Sequence, residues 1–346
     1  MSIRIVSIDT GNAVCKGVRA GRGSTPTAIT FPNAWTRPQD DALSRWKGFG
    51  VKDQLVIRLD GGERLALGES AYELGRVQHQ RAGYARYDSP EYPWLVAGLL
   101  AKLYPTAGGE IALTFSLPVD GFSRAEEQIE RLSGRWQVEY DDGHEVSNLS
   151  FIVRPERAVP EAFGSLCYYV LSSDGSAFID LELAEGSVAI VDIGGYTTDV
   201  LTFRTLDLGP VYGSVERGII NVREDINAAI KRQFLRSDLK TPALDQIIET
   251  RQYRHAGQVH DVGEIVDGAL WDLTNGVLDI WTNRLEGGVD YDAVIFTGGG
   301  TPIIAPKLLP HIQHANVKVV PRDEAHLANV IGAYRYALHL RTYGGG

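Results

Sequence analysis

Residues 188–200 read VAIVDIGGYTTDV: an apolar run ends in an aspartate, turns on two glycines and returns through threonines into a second β-branched run. β-branched runs favour strands, and glycines between two of them mark a hairpin. The same pattern opens the chain. In IRIVSIDTGNAVCKGVRA, residues 3–20, Asp9 ends a strand, Thr10-Gly11-Asn12 make the turn, and the chain returns through Val14. A single turn of this kind is usually just a turn. Two of them, one early in each half of a 346-residue chain, imply a repeated unit.

Such turns suit phosphate. Glycine lets a backbone approach a ligand closely, and successive N–H groups in a turn point into one concavity that favours an anion. Small hydroxyls such as that of Thr197 add donors. An aspartate at a strand end can hold Mg²⁺ through water, because that ion keeps most of its hydration shell and takes few carboxylates. Two such hairpins facing each other would grip a polyphosphate from both sides. A third element, AVIFTGGGTP at 293–302, runs a buried strand into Gly298, Gly299 and Gly300, where a base or ribose could lie against backbone. There is no G-x-x-x-x-G-K-[ST] and no G-x-G-x-x-G after the first strand. A bound nucleotide is therefore expected in a two-hairpin clamp, not in a P-loop or dinucleotide fold.

Apolar residues make up 44 % of the 346, enough for two cores. β-rich runs recur at 3–8, 55–59, 111–117, 188–193, 200–203 and 293–297. Helical stripes are expected over 262–285 and 324–341, the latter opening on Asp323 and Glu324 and closing with Arg341. Strands mixed with helices in this order predict an α/β protein. The Pro-punctuated VRPERAVPEAFG, 153–164, marks the domain junction.

A formal charge of −10 argues against a direct grip on nucleic acid, so any such role would run through another protein. Cys15 and Cys167 lie far apart and read as reduced thiols. With no signal peptide and no run of about 18 apolar residues, the expected location is the cytoplasm, away from membranes. His255 and His260, like His311 and His314, lack the spacing of a zinc site. Arg81, Arg86, Tyr84 and Tyr87 read equally as an interaction patch and as a solvated edge.

Taken together, D9TGN with Lys16, D192IGGYTTD and F296TGGG resemble the two phosphate motifs and the adenosine motif of the actin-like ATPase superfamily. Within it the chain is most similar to the bacterial plasmid-segregation proteins of the ParM/StbA type. TFSLPVDGF at 114–122, RPERAVPEAFG at 154–164, LALGESAYELG at 65–75 and DEAHLANVIGAYRYA at 323–337 extend the likeness over most of the chain.

The resemblance implies an actin-like, RNase H-like two-domain fold, each domain a mixed five-stranded sheet with flanking helices, with ATP or ADP and Mg²⁺ in the interdomain cleft. Domain I would span 1–155, with helix 324–341 packing back on it, and domain II 156–323. The resemblance also implies self-assembly into polar filaments that hydrolyse ATP, and an adaptor protein joining them to centromere-like plasmid DNA.

By the same resemblance Asp9 and Asp192 hold the metal through water and share the catalytic role with Glu156, which orients the attacking water. Gly11, Asn12, Gly194, Gly195 and Thr197 cradle phosphate, and Lys16 points to the β- and γ-phosphates. Gly298, Gly299 and Gly300 bracket the adenosine. The helix after Gly218 gives Asn221 and Glu224 to base and ribose. Tyr196 stands where many members carry glycine, and Asp199 closes the hairpin. A sugar or acid kinase and a cell-shape actin of the same superfamily remain alternatives.

Overall fold

The structure, a computed structural model, describes residues 3–21, 25–38, 54–79 and 83–343. Its contacts divide the chain into two units, Met1–Leu181 with Leu327–Gly346, and Glu182–His326.

The strands of the first unit are β1 (Arg4–Thr10), β2 (Val14–Arg19), β3 (Thr27–Pro32), β4 (Ala34–Thr36), β5 (Val56–Leu59), β6 (Arg64–Leu67), β7 (Gln78–His79), β8 (Gly109–Leu117), β9 (Gly134–Asp141) and β10 (Val146–Pro160). They form one sheet in the order β3-β2-β1-β8-β10-β9-β5-β6-β4-β7. The second unit holds β11 (Ser187–Ile193), β12 (Thr198–Arg204), β13 (Asp207–Val215), β14 (Gln252–His255), β15 (Gln258–Asp261), β16 (Ala293–Thr297) and β17 (Val317–Val319). Five of these form the sheet β13-β12-β11-β16-β17, and β14–β15 is a separate ribbon.

The two sheets follow one plan. β1–β2 and β2–β3 are antiparallel, whereas β1–β8 and β8–β10 are parallel. β11–β12 and β12–β13 are antiparallel, and β11–β16 and β16–β17 parallel. The repeated turn in the sequence is thus the visible part of a repeated five-strand sheet. The first unit adds five more strands beyond β10.

Parallel neighbours require crossover connections that cover the sheet faces. Helix Tyr92–Leu103 lies in the crossover from β1 to β8, and Ile219–Phe234 and Gly263–Asn283 lie between β11 and β16. The central strands are accordingly apolar on both faces: Val188, Ala189, Ile190 and Val191 are all fully buried. The helical stripe expected over 262–285 packs as drawn from its spacing, with Val266, Leu270, Leu273, Val277 and Trp281 in the core of the second unit.

Two boundaries differ from expectation. A junction at 155/156 would cut β10 mid-strand, where Pro155 and Arg157 both pair with β8, and the division instead follows Leu181. Prolines suggested a linker there, but Pro155 lies at a bulge and Pro160 at the strand's end, positions a strand tolerates. The last helix begins at Ala328, not 324, because turns occupy 322–327 after Pro321. It packs on the first unit through a close crossing with helix Phe163–Val170, where a side chain on Gly164 or Gly332 would overlap the facing backbone.

Candidate nucleotide-binding site

The first hairpin places Asp9 opposite Lys16 and Thr10 opposite Cys15. Asp9 is only 3 % exposed, and Lys16 Nζ donates to its Oδ2 at 2.6 Å. Lys16 therefore lies against the strand-end carboxylate and not in solvent. The second hairpin repeats the register, with Asp192 opposite Asp199 and Ile193 opposite Thr198.

The turns match as well. A Cβ on Gly11 would sit 3.1 Å from the Val14 carbonyl oxygen, and one on Gly194 would sit 3.0 Å from that of Thr197. Neither glycine has a positive φ, so each gives room under a closing carbonyl and does not serve left-handed backbone. Gly194 N–H donates to Thr197 O at 2.8 Å and completes the second turn. Tyr196 keeps a negative φ, so its side chain causes no backbone strain. Thr197 Oγ1 donates to Asp199 Oδ2 at 2.9 Å, so this hydroxyl, expected in the phosphate cradle, helps Asp199 to close the hairpin.

Around the second hairpin the glycines converge. Gly298 has φ +88°, and a Cβ there would overlap Asp192 Oδ1 and lie 2.5 Å from Ile193 O. Gly300 N–H donates to Ile193 O at 2.8 Å, and its Cβ would come within 2.9 Å of that oxygen. Gly299 is different: a Cβ would meet only His326 at 3.6 Å, an ordinary contact. A Cβ on Gly218 would sit 2.5 Å from Gly195 O, and Ile219 and Ile220 N–H groups donate to the Gly194 and Gly195 carbonyls. The turn, the three-glycine loop and the start of helix Ile219–Phe234 thus form one backbone cluster against Asp192. Asn221 turns its amide oxygen onto Gly218 N–H at 2.9 Å and caps its own helix, an arrangement that directs the oxygen to backbone and not to a base. Glu224 lies close to half-buried Tyr196, whose pKa is raised by burial first and by the Glu224 charge second.

In the first unit the carboxylates of Glu156 and Glu161 take different settings. Glu156 sits at a bulge of β10, exposed, in a two-point ion pair with Arg341 that includes Nε to Oε2 at 3.2 Å. Its neighbour Arg157 shares a rung with Thr114, as does Ser7, two residues short of Asp9. Glu161 follows the last residue of β10, with its N–H bonded to Leu117 O at 2.7 Å. Ala162 then takes φ +71° and turns the buried chain into helix Phe163–Val170, a left-handed conformation that costs a non-glycine residue about 1–3 kcal/mol. Arg86 joins Glu161 to the first hairpin: its Nη1 donates to Asn12 Oδ1 at 2.8 Å, and its Nη2 forms an ion pair with Glu161 Oε1. Arg86 thus bonds Glu161 to the turn that carries Asn12, whereas Glu156, expected to orient water, pairs with Arg341.

The chain offers two Pro-Glu steps, Pro155-Glu156 and Pro160-Glu161. The second stands at the strand end, directly before Ala162 and helix Phe163–Val170. Arg86 and Tyr87 are 1 % and 0 % exposed, so the surface-patch reading fails for them; Arg81 and the Tyr84 side chain lie outside the described residues.

Residues 7–164 match the family model described as the N-terminal domain of actin like proteins, and residues 190–309 match archaeal actin homologue MreB-like, C-terminal. A crystal structure of an archaeal actin homolog superposes with a TM-score of 0.76 at 18 % identity, covering 98 % of this chain and 100 % of that one. The chain has the actin-like fold. An archaeal actin homolog from Thermoplasma acidophilum is 26 % identical to the actin-like chain over 96 % of its length and 98 % of the homolog. A complex of an archaeal actin homolog with ADP has a TM-score of 0.72 at 20 % identity, over 97 % and 99 % of the two chains. A 15-stranded ParM filament from Clostridium botulinum gives 0.72 at 17 % identity, again over 97 % and 99 %.

Among the described residues of the actin-like chain, no group of three or more His, Cys, Asp or Glu is placed to hold a metal. Asp9 is the one buried carboxylate among the described residues, and Mg²⁺ is an ion that needs few carboxylates because water and phosphate supply most of its ligands. Cys15 and Cys167 are free, buried thiols whose pKa values burial pushes up, far from the range of a reactive thiolate. No described helix is long and apolar enough to cross a membrane.

Proposed function

We propose that this actin-like chain binds ATP with Mg²⁺, hydrolyses it, and assembles with copies of itself into nucleotide-dependent polar filaments that segregate plasmid DNA. The observation that carries the reading is the duplicated sheet, with an aspartate and a space-demanding glycine at the same hairpin position in each copy. The likeness to an ADP complex and to a ParM filament supports nucleotide and self-assembly. The filament works in the cytoplasm without touching membrane or DNA, and a DNA-binding adaptor makes the link to cargo.

In this reading Gly11, Asn12, Gly194 and Gly195 present backbone and amide donors to phosphate, and Lys16 supplies a positive charge already poised on Asp9. Gly298 and Gly300 bring backbone against the adenosine. Asp9 and Asp192 hold Mg²⁺ through water, and the ion offsets phosphate charge when bound. Glu161 accepts a proton from the attacking water and aims it; phosphoryl transfer asks mainly for such positioning.

The test is light scattering with phosphate release on purified protein across a concentration series, with Mg²⁺ and ATP or ADP. Scattering above a critical concentration with ATP, with phosphate release rising alongside, is expected. Release per molecule that stays flat without scattering overturns filament assembly and directs a search for sugar or acid acceptors. Glu156→Ala should leave release within about twofold of wild type and cost under about 1 kcal/mol, the usual scale for an exposed pair, here 34 % and 42 % exposed. A Glu156→Ala variant that binds ATP but releases no phosphate would return the water-orienting role to Glu156.

A further inference from the structure

Arg86 is 1 % exposed and carries a charge. Burial opposes that charge, but Tyr87, Glu161 and Asp9 outweigh it and raise its pKa. A buried guanidinium costs several kcal/mol to desolvate, and an apolar side chain of similar size often serves stability as well or better. What the charge does here follows from its partners.

Nη1 donates to Asn12 Oδ1 at 2.8 Å in the turn of the first hairpin. Nη2 donates to Tyr87 Oη at 2.9 Å and pairs with Glu161 Oε1. Tyr87 Oη in turn lies 3.1 Å from both Glu161 Oε1 and Ser116 O. One residue on the short turn Gly83–Arg86 thus binds the β1–β2 turn and the residue after β10, and through Tyr87 the end of β8.

Chemistry fixes the polarity of these contacts. A guanidinium has only donors, so the Asn12 amide must present its oxygen to Arg86, which turns the NH₂ end away as a donor. An NH₂ donor is the polarity a phosphate needs. Arg86 and Tyr87 both reach Oε1 of Glu161, which fixes the rotation of that carboxylate.

We infer that Arg86 is a positioning residue for hydrolysis: one guanidinium sets both the donor end of Asn12 toward phosphate and the aim of Glu161 toward water. The inference rests on the function proposed above, and it makes phosphate contact and water orientation one coupled setting.

The test compares Arg86→Ala, Tyr87→Phe, Glu161→Gln and the double variant Arg86→Ala/Glu161→Gln, measuring thermal stability, ATP affinity and single-turnover phosphate release. Misplacing a catalytic group by about 1 Å costs roughly 10²-fold in rate. Arg86→Ala should lose about that much turnover, with free guanidinium at a few millimolar restoring roughly tenfold of it. The same guanidinium should do nothing for Glu161→Gln, and the double variant should lose clearly less than the product of the two single losses, because residues acting as a unit are non-additive. Should Arg86→Ala fail to fold, Tyr87→Phe carries the test, with about a tenfold loss of turnover at unchanged ATP affinity. Turnover within twofold of wild type in the folded variants, or losses that add in full with no rescue, would overturn the positioning role while leaving the proposed ATPase intact. A wild-type chain that releases no phosphate overturns the functional reading, and this inference with it.

Discussion

Glu161→Gln should lower single-turnover phosphate release by about 10²–10³-fold while ATP affinity changes less than about threefold, because a positioned general base contributes on that scale and is not needed to hold the ground state. Glutamine keeps the length and a hydrogen-bond acceptor for Arg86 and Tyr87, so the ties to Asn12 and Ser116 survive. What it removes is the negative charge and the ability to take a proton. The position itself supports the expectation. Glu161 is the first residue after β10 and is followed by Ala162 at φ +71° in a fully buried setting. Strain of that kind persists where surrounding structure holds it in place, and it concentrates at functional turns. Measuring release and affinity separately on Glu161→Gln and Glu156→Ala decides between the two Pro-Glu steps. Normal release from Glu161→Gln would remove the assignment.

Gly298→Ala is the second large effect, and it acts through space. The substitution forces a non-glycine residue to φ +88°, at about 1–3 kcal/mol. The added methyl also meets the Asp192 carboxylate and, at 2.5 and 2.8 Å, the backbone O and C of Ile193, which no side-chain rotation can clear. Backbone must move, and it moves the aspartate proposed to hold Mg²⁺. We expect a melting temperature lower by about 5 °C or more, given 2–4 °C per kcal/mol for units of this size, and ATP affinity weakened at least tenfold. Gly299→Ala is the matched control: its methyl meets His326 at an ordinary 3.6 Å, and φ there is not positive. Calorimetry and nucleotide titration on both variants separate a steric demand from a general intolerance of the loop. Equal behaviour of the two would contradict the packing argument.

The duplicated sheet was legible because strand, turn and return strand are adjacent in sequence, and period and glycine content reveal them directly. Asp9, Asp192 and the glycines follow from the same local reading. The stripe from Val266 to Trp281 was legible for the same reason. What escaped was long-range. Arg86 joins Glu161 to Asn12 from 75 and 74 residues away, and no local pattern announces that a surface-type arginine will be buried. The junction escaped because two prolines look like a linker, while β10 accommodates one at a bulge and the other at its end. The local reason for the hairpin glycines also needed coordinates: a carbonyl oxygen lies about 3 Å from each missing Cβ.

The close crossing of Gly164 on Gly332 has a consequence for biosynthesis. The second unit is continuous, Glu182–His326, whereas the first draws on Met1–Leu181 and Leu327–Gly346. On a ribosome, the half translated first is completed last. Until the final segment emerges, Val18 of β2 lacks the cover that Val330 and Tyr334 provide, and the strand pair bearing Asp9 and Lys16 waits without its outer layer. The β1–β2 hairpin thus reaches its finished setting only after helix Ala328–Tyr343 has been synthesised.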